Sequence, residues 1–268
     1  MNLLIDIGNT ACKFAVCCNG DIQFVAKTEY PEQLLDSISD FTTAVSLENL
    51  RSNGCSCSGI RKIFASVVLC SVRNLTDDFI SELSLKSDNF IQVNGDFMKR
   101  CITSGKPYPA IFKTLRPDLG ADRIAAVVGA RSLCNSQKML VIDMGTAVTY
   151  DLIDGDNYLG GAISMGMNTR YRALGLLTDK IPLFNPFDRL SKLSVDQIPA
   201  VGHDTEDHLA SGNIVGLKYE LQGFIDHFCD YHAIITGGDA RFFADSLNRP
   251  VQYIPDLTFQ GLNYLANL

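Results

Sequence analysis

Carboxylate, glycine and hydroxyl residues recur at two short turns of the sequence, and this combination could bind a phosphate group. The first turn is Asp6-Ile7-Gly8-Asn9-Thr10, and the second is Asp143-Met144-Gly145-Thr146. Each follows a short aliphatic run that predicts a buried strand. Backbone N–H groups and a hydroxyl at such a turn can surround a phosphate, while the carboxylate faces a cation. The repeat therefore predicts two similar half-structures facing a phosphate-binding cleft, as in a nucleotide-dependent phosphotransferase built by duplication.

A third turn extends this pattern. The aliphatic segment Ala233-Ile234-Ile235 leads into Thr236-Gly237-Gly238-Asp239, where paired glycines permit a ligand to approach the backbone closely. The chain has neither a G-x-x-x-x-G-K-[ST] loop nor a G-x-G-x-x-G after a strand, so a nucleotide site must use other elements. One such turn alone indicates a structural hairpin, but three in this order favour a nucleotide site. Lys13 follows the first turn, and its spacing fits either a phosphate contact or a solvated lysine.

The segment Gly120-Ala121-Asp122-Arg123 begins a predicted helix over 121–133. A carboxylate in the first helical turn is favoured by the helix dipole, so capping alone could explain Asp122. The guanidinium of Arg123 offers bidentate recognition of a ligand carboxylate. An acid beside an arginine at a helix start therefore suits a small anionic substrate.

Composition excludes several classes of protein. The chain has 268 residues, of which 46% are hydrophobic and 20% charged, with a net charge of -7. An acidic chain is a poor partner for nucleic acid, whose binding depends on Lys and Arg at phosphates. Asp6 interrupts any signal-peptide core, and no apolar run approaches the length of a membrane span. An odd count of nine cysteines without an export signal predicts reduced thiols and a cytoplasmic protein.

Metal sites built from cysteine or histidine are not favoured. Cys55 and Cys57 form a C-x-C pair without a matching second pair, so we expect a loop with free thiols rather than a zinc site. The four histidines fit no H-E-x-x-H pattern. They are His203, His208, His227 and His232.

Strands alternate with helices, which predicts an α/β class. The strand–turn–strand pattern of residues 1–26 restarts at 139–152, and no long linker separates the two halves. We therefore predict a first half over residues 1–118 and a second over 119–268. Further predicted strands cover 62–69 and 233–235. A loop is predicted at 101–118 and a turn at 160–163. One further helix is predicted to begin at Pro31, and others cover 75–85, 168–177 and 210–231.

Taken together, these elements resemble type III pantothenate kinase, of the acetate kinase, sugar kinase, Hsc70 and actin superfamily. The resemblance covers essentially the whole chain, in matching order and spacing. It is carried by Asp6–Lys13, Gly120–Arg123, Asp143–Ala147, Gly160–Ile163, Gly202–Thr205 with Ser211-Gly212, and Thr236–Ala240.

The resemblance implies a fold and an activity. The fold is a pair of duplicated actin-like (ribonuclease H-like) domains, each a mixed sheet flanked by helices, with a cleft between them. The activity is ATP-dependent phosphorylation of pantothenate to 4'-phosphopantothenate, the first step of coenzyme A biosynthesis. The implied partners are pantothenate, ATP with Mg²⁺, a monovalent cation and a second copy of the chain in a homodimer.

The resemblance also implies roles for individual residues. Asp122 is the general base, Asp143 holds potassium or ammonium, and Thr146 belongs to the second phosphate loop. The first phosphate loop comprises Asp6, Ile7, Gly8, Asn9, Thr10, Ala11, Cys12 and Lys13. The pantothenate contacts comprise Gly120, Ala121, Asp122, Arg123 and Thr205.

This sequence departs from the family pattern in two places. The family usually has a substrate-contacting tyrosine shortly before Gly-x-Asp-Arg, and here either Phe112, which lacks the hydroxyl, or the more distant Tyr108 fills that role. The family also often has proline before the glycine of Ile163-Ser164-Met165-Gly166, a change expected to alter loop stiffness rather than chemistry.

Alternatives to a kinase dimer remain open from the sequence. One is a non-catalytic transcription accessory or regulatory protein on the same scaffold, and another is a phosphohydrolase. The joint presence of Asp6, Asp122, Arg123, Asp143 and Thr146 argues against a non-catalytic scaffold, because a binding module needs no base.

An apolar stripe at helical spacing faces either its own core or a twofold interface. The stripe comprises Ile214, Leu217, Leu221, Phe224, Ile225 and Phe228.

Overall fold

The computed structural model describes residues 1–53, 63–105 and 107–268, with the side chains of 46–53 outside that description. Cys55 and Cys57, and so the choice between free thiols and a zinc site, lie outside it. The chain divides into two compact units, the first formed by residues 1–132 with 258–268 and the second by residues 133–257. Each unit contains one five-stranded sheet.

The first sheet is a meander extended by two parallel strands. Its strands are β1 (Asn2–Ile7), β2 (Cys12–Cys18), β3 (Asp21–Thr28), β4 (Phe64–Ser71) and β5 (Ser87–Gln92), in the order β3-β2-β1-β4-β5. β1, β2 and β3 pair antiparallel, whereas β4 and β5 continue the sheet in parallel. The central strand β1 is aliphatic because both of its faces are covered, and Leu3, Leu4 and Ile5 are all fully buried.

Helices connect and cover this sheet. They are α1 (Pro31–Asn53), α2 (Asp77–Ser84), α3 (Gly95–Thr103) and α4 (Ala121–Leu133). Polar side chains define where two of them begin, since Thr76 accepts a hydrogen bond from the Phe79 N–H and Asn94 accepts one from the Phe97 N–H.

The second sheet repeats the first. Its strands are β6 (Lys138–Met144), β7 (Ala147–Asp154), β8 (Asn157–Met165), β9 (His232–Thr236) and β10 (Gln252–Tyr253), in the order β10-β9-β6-β7-β8. β6, β7 and β8 form an antiparallel meander, and β9 and β10 add in parallel beside β6. Matching each strand to its counterpart gives the same order and directions in both units. The duplicated, mixed-sheet fold class predicted from the sequence is therefore confirmed.

Helices of the second unit follow its meander. They are α5 (Met167–Leu177), α6 (Pro186–Leu190), α7 (Thr205–Ala210), a π-helical turn (Ser211–Val215), α8 (Gly216–His227) and α9 (Ala240–Phe243). The final helix, α10 (Leu257–Ala266), begins at the end of this unit and then belongs to the first. None of the helices in the described part of the chain combines the length and the apolarity needed to cross a membrane.

The division between the units differs from the predicted boundary at 118/119. Helix α4 belongs to the first unit, and the chain returns to that unit at Thr258. The reason is a close helix crossing, because a Cβ atom at Gly261 of α10 would lie only 1.9 Å from the Ala125 carbonyl oxygen of α4. A glycine so far along the chain gives no local sign of this partner.

Two other predicted segments need correction. The turn expected at 160–163 lies within β8, because pairing with β7 continues through Gly160 and Gly161. Gly160 has φ of 113°, a left-handed value that glycine adopts readily. The loop expected at 101–118 contains the end of α3 and a short 3₁₀ helix, Ala110–Lys113.

The apolar stripe predicted on a helix at 210–231 lies on a π-helical turn and α8 rather than on one continuous helix, and Phe228 follows the end of α8. Ile214, Leu217, Leu221 and Ile225 are buried within the core of the second unit. Phe224 and Phe228 are partly buried and pack against the same core. The stripe therefore packs into the core of its own subunit. This burial does not support the alternative that the stripe forms a twofold dimer interface.

Candidate active site

The first predicted phosphate turn connects β1 to β2. It closes on itself where the Gly8 N–H donates to the Ala11 carbonyl at 2.9 Å. Asn9 and Thr10 are exposed, so their side chains can meet a ligand. The side chains of Ile7 and Cys12 are fully buried, so these two residues can offer a ligand only their backbone.

Three charged residues of the predicted site come together in the first unit. Asp6 and Lys13 are opposite partners in the β1–β2 pair, and opposite residues share one face of a sheet. Burial raises the pKa of the Asp6 carboxyl to about 6, Lys13 opposes the shift, and the Asp122 carboxylate adds to it. This pairing favours a site role for Lys13 over the alternative of a solvated lysine.

Helix α4 begins at the segment that contains the proposed base. One oxygen of Asp122, Oδ1, accepts a hydrogen bond from the Arg123 N–H at 2.8 Å. A Cβ atom at Gly120 would lie 2.7 Å from that same oxygen, so a glycine there leaves room for the carboxylate. Ala121 is buried, whereas Asp122 and Arg123 are half-buried. The two charged side chains are thus partly open to solvent at the helix start.

The two aromatic candidates for substrate contact differ in burial. Phe112 is only 2% exposed and packs edge-on against Phe97, with ring centroids 6.1 Å apart. Its ring belongs to the core of the first unit, which argues against the expected contact between Phe112 and substrate. Tyr108 is half-buried and keeps a hydroxyl, and its ring centroid lies 6.0 Å from the Lys113 ammonium. Spacing alone did not distinguish the two because it does not reveal burial.

The second predicted phosphate turn connects β6 to β7. The Gly145 N–H donates to the Ala147 carbonyl at 2.9 Å. The Thr146 carbonyl accepts from the Gly166 N–H at 3.0 Å and from the Thr169 hydroxyl at 2.6 Å. A Cβ atom at Gly166 would lie 1.9 Å from the Gly145 carbonyl oxygen, so only glycine fits between this turn and α5. The Thr146 side chain is exposed.

The third turn lies directly against Asp143. β6 and β9 run in parallel with Asp143 opposite Thr236, so both strands end at the same edge of the sheet. Gly237 has φ of 95°, and a Cβ atom there would lie 2.5 Å from Oδ1 of Asp143. The Asp239 N–H donates to the Met144 carbonyl at 3.1 Å. Two of the three predicted turns are therefore in contact within the second unit.

Carboxylate and carbonyl oxygens around Asp143 are hard ligands, which suit a hard cation. Over the described ranges, three or more His, Cys, Asp and Glu side chains nowhere group in a way that could hold a metal ion. A cation at Asp143 would therefore depend on this one carboxylate together with backbone oxygens and water.

Thr205, the predicted pantothenate contact of the second unit, is the first residue of α7 and is exposed. The Asp204 carboxylate caps this helix by accepting from the Asp207 N–H at 2.8 Å. The guanidinium of Arg189 pairs with the carboxylates of Glu206 and Asp207 in the first turn. These contacts fix the helix start at which Thr205 lies.

Sequence analysis missed residues that support these turns. Glu220 accepts hydrogen bonds from the Tyr150 hydroxyl at 2.8 Å and the Ser164 hydroxyl at 3.2 Å, and it also pairs with Arg170. This network links β7, β8, α5 and α8 close to Gly166. Arg73, two residues beyond the end of β4, donates hydrogen bonds to the Gly8 and Asn9 carbonyls of the first turn. No motif or spacing marks these residues, because their partners are distant in sequence.

Comparisons with known proteins agree with this geometry. The sequence model of the type III pantothenate kinase family matches residues 2–227. A protein of that name from Porphyromonas gingivalis is 33% identical over 270 residues, covering 98% of this chain and 96% of that protein. Another from Phocaeicola vulgatus is 32% identical over 273 residues, covering 100% and 98%. The chain belongs to the type III pantothenate kinase family.

Solved structures share the fold. A conserved putative Baf family transcriptional activator from Campylobacter jejuni has a TM-score of 0.57 and 20% identity, covering 99% of this chain and 97% of that one. A putative 2-dehydro-3-deoxygalactonokinase from Sinorhizobium meliloti has a TM-score of 0.50 and 12% identity, covering 100% and 98%. At these identities the likeness concerns the fold alone.

Membership of the type III pantothenate kinase family confirms the function predicted from the sequence. The chain is an enzyme, a kinase that phosphorylates pantothenate in coenzyme A biosynthesis, and the non-catalytic accessory alternative is not favoured. A kinase of this family uses ATP with a divalent metal. The role of each site residue is a separate question.

Proposed function

We propose that the chain transfers the γ-phosphate of ATP to the primary hydroxyl of pantothenate with Asp122 as the general base. In this scheme the Asp122 carboxylate takes the hydroxyl proton while Arg123 binds the pantothenate carboxylate. The aromatic substrate contact is assigned to the half-buried Tyr108 rather than to Phe112. Phosphoryl transfer depends mainly on positioning and charge neutralisation, which these groups supply without covalent chemistry.

The phosphate contacts in this proposal come from two turns. Backbone N–H groups of the segment Asp6–Lys13, together with the Thr10 hydroxyl and the Lys13 ammonium, bind phosphate in the first unit. Thr146 is the proposed phosphate contact of the second unit. The Asp6 carboxylate faces the cation that accompanies the phosphates. Mg²⁺ bound with ATP would supply positive charge that an acidic chain of net charge -7 lacks.

One observation carries the proposal. The Asp122 charge contributes to the raised pKa of Asp6, and Lys13 faces Asp6 across the β1–β2 pair. The proposed base and the first phosphate turn are therefore electrostatic neighbours within one unit. A capping carboxylate alone would not need to lie near a second carboxylate, because like charges close together cost free energy.

Replacing Asp122 tests the role directly. Asp122→Asn keeps the shape of the side chain but removes the proton acceptor, so kcat should fall by roughly 10²–10⁴ with little change in KM for ATP. The matched control is Asp118→Asn, which removes the same charge from a neighbouring exposed carboxylate paired with Arg116 at 3.0 Å. The control should retain normal turnover. A near-normal kcat for Asp122→Asn would remove this residue from the mechanism.

We further propose a monovalent cation at Asp143, held by the carboxylate and by nearby backbone oxygens. The packing at Gly237 supports this, since the Asp143 Oδ1 and Met144 carbonyl oxygens lie 2.5 Å and 2.3 Å from the position of a Cβ atom there. Activity in sodium-only buffer should be low and should rise when potassium or ammonium is added. If added potassium leaves the rate unchanged, Asp143 has another role.

The remaining assignments are a homodimer and a cytoplasmic location, both proposed from the family resemblance and from the reduced cysteines expected of the sequence. Described cysteines, such as Cys12 and Cys17, are free thiols. In the proposed dimer, Thr205 completes a pantothenate pocket with Asp122 of the other chain. Its exposure at the start of α7 supports access to a ligand.

A further inference from the structure

We infer that Arg73 is a positioning residue that holds the first phosphate turn in its binding conformation. Its guanidinium donates three hydrogen bonds to backbone carbonyls. Nε donates to Gly8 O at 2.7 Å, Nη2 to Asn9 O at 2.8 Å, and Nη1 to Glu29 O at 3.1 Å. Two of the three acceptors belong to the turn itself. This inference rests on the proposal that the segment Asp6–Lys13 binds the phosphates of ATP.

Arg73 is itself held in place by the end of β4. The Ser71 hydroxyl accepts from the Arg73 N–H at 3.1 Å and donates to the Arg73 carbonyl at 2.9 Å. The Val72 N–H donates to the Ile7 carbonyl at 3.0 Å, which continues the parallel pairing of β1 and β4. The half-buried side chain therefore starts from a fixed backbone and reaches the turn with little remaining freedom.

Peptide planarity converts these contacts into an orientation for the opposite groups. In a trans peptide the carbonyl of one residue and the N–H of the next point in opposite directions. Because the carbonyls of Gly8 and Asn9 point at Arg73, the N–H groups of Asn9 and Thr10 point away from it. Successive backbone N–H groups on one side of a turn form a concave site that binds phosphate oxygens.

Arginine suits this task better than lysine. A planar guanidinium presents several donors in a fixed fork and can bridge carbonyls of different segments at once, whereas an ammonium is a flexible point donor. Here the fork links the turn to Glu29, just beyond the end of β3. The guanidinium acts on the nucleotide through the backbone that it holds.

The test compares Arg73→Ala with the wild-type enzyme. Losing two charge-assisted hydrogen bonds to the turn, and the third to Glu29, should raise KM for ATP by about tenfold. We expect KM for pantothenate to stay within about twofold and hydrogen exchange of the amides at residues 9–11 to become faster. Guanidinium at about 20 mM, far below denaturing molar concentrations, should restore part of the ATP affinity. Sodium chloride at the same concentration should not.

Two further variants make the outcome decisive. Arg73→Lys keeps the charge but not the fork, so it should resemble Arg73→Ala in KM for ATP, and it serves as the test if the alanine variant does not fold. Arg249→Ala is the matched control, because this arginine also donates to a backbone carbonyl, that of Cys229 at 2.7 Å in the second unit. The control should leave KM for ATP unchanged.

The outcomes separate this inference from the assignment of the turn. Lys13→Ala tests the turn independently of Arg73. If Lys13→Ala raises KM for ATP but the Arg73 variants alter neither KM for ATP nor amide exchange, the positioning role of Arg73 is overturned. If neither residue affects ATP binding in an active enzyme, the phosphate turn was assigned wrongly and the role of Arg73 fails with it. A rise in both Michaelis constants without guanidinium rescue would indicate general structural damage and would also contradict the inference.

Discussion

The Asp6 carboxyl provides a pH signature at the scale of single residues. Burial raises its pKa from an ordinary 3.8 to about 6, with Asp122 adding to the shift and Lys13 opposing it. The folded state therefore holds this proton more tightly than the unfolded chain. The associated stability is fully present below pH 3.8 and is lost as pH rises through about 6. The Asp6→Asn variant has an amide in place of this carboxyl group, so its stability does not depend on that proton.

We therefore expect the stability of the unliganded wild type, measured against Asp6→Asn, to fall between pH 3.8 and about 6 and then to level off. Urea unfolding of both proteins across this range gives the comparison, because every other titrating group is common to the two. A difference in unfolding free energy that is independent of pH would show that Asp6 does not carry the raised pKa.

Candidate site residues could be chosen from the sequence where chemistry and local spacing coincide. Asp6, Asp122 and Asp143 each lie at a strand end or helix start that the sequence itself indicates. Lys13 was ambiguous until strand pairing placed it opposite Asp6. Arg73 was missed because its contacts with Gly8 and Asn9 join distant segments of chain, and neither a motif nor a period records such a contact.

At the scale of elements, the crossing of α4 and α10 depends on a single glycine. A Cβ atom at Gly261 would lie 1.9 Å from the Ala125 carbonyl oxygen and 3.0 Å from the Gly129 nitrogen. Because both are backbone atoms, the helices would have to separate. Gly261→Ala should therefore lower the unfolding free energy by about 1–3 kcal/mol, the usual cost of overpacking.

Gly223→Ala is the control for this change. Gly223 lies in α8 and a Cβ atom there would meet no neighbour within 4 Å, so the same substitution should stabilise the helix by up to about 1 kcal/mol. Denaturant unfolding of the two variants should give opposite signs. Equal stabilisation by both would mean that the helices do not cross as closely as described.

Elements were predictable to the extent that local pattern decided them. The meander β1–β3, the pair β6–β7 and α4 follow from aliphatic runs, turns and helix formers. Residues 160–163 of β8 were predicted as a turn because glycines often interrupt strands, whereas pairing with β7 decides their conformation. The helix predicted at 210–231 is interrupted by a π-helical turn over Ser211–Val215, and apolar periodicity alone does not locate such a turn.

At the scale of the whole molecule, the repeated sheet was predictable because the aspartate-glycine turns mark both copies. The exact membership of each unit was not, since α10 joins the first unit by a contact between distant segments. The burial of Leu217, Leu221 and Ile225 also shows that a proposed dimer must use another surface than this stripe.

A shared pocket in the proposed dimer predicts complementation between inactive variants. Asp122→Asn and a disabling Thr205→Trp should be unfolded, mixed and refolded together. Random pairing makes about half the dimers mixed, each with one intact site, so roughly a quarter of normal activity should return. Each variant refolded alone is the control. If mixed dimers form but activity does not return, each pocket is built from one chain.

The central claim is that this chain phosphorylates pantothenate with ATP, and one assay tests it most directly. The purified chain is incubated with Mg²⁺, potassium and ATP, with and without pantothenate, while ADP and 4'-phosphopantothenate are both quantified. We predict ADP release only when pantothenate is present, with one phosphorylated product formed for each ADP. ADP release without pantothenate would indicate a hydrolase instead, and no ADP release under either condition would contradict the assignment as a kinase.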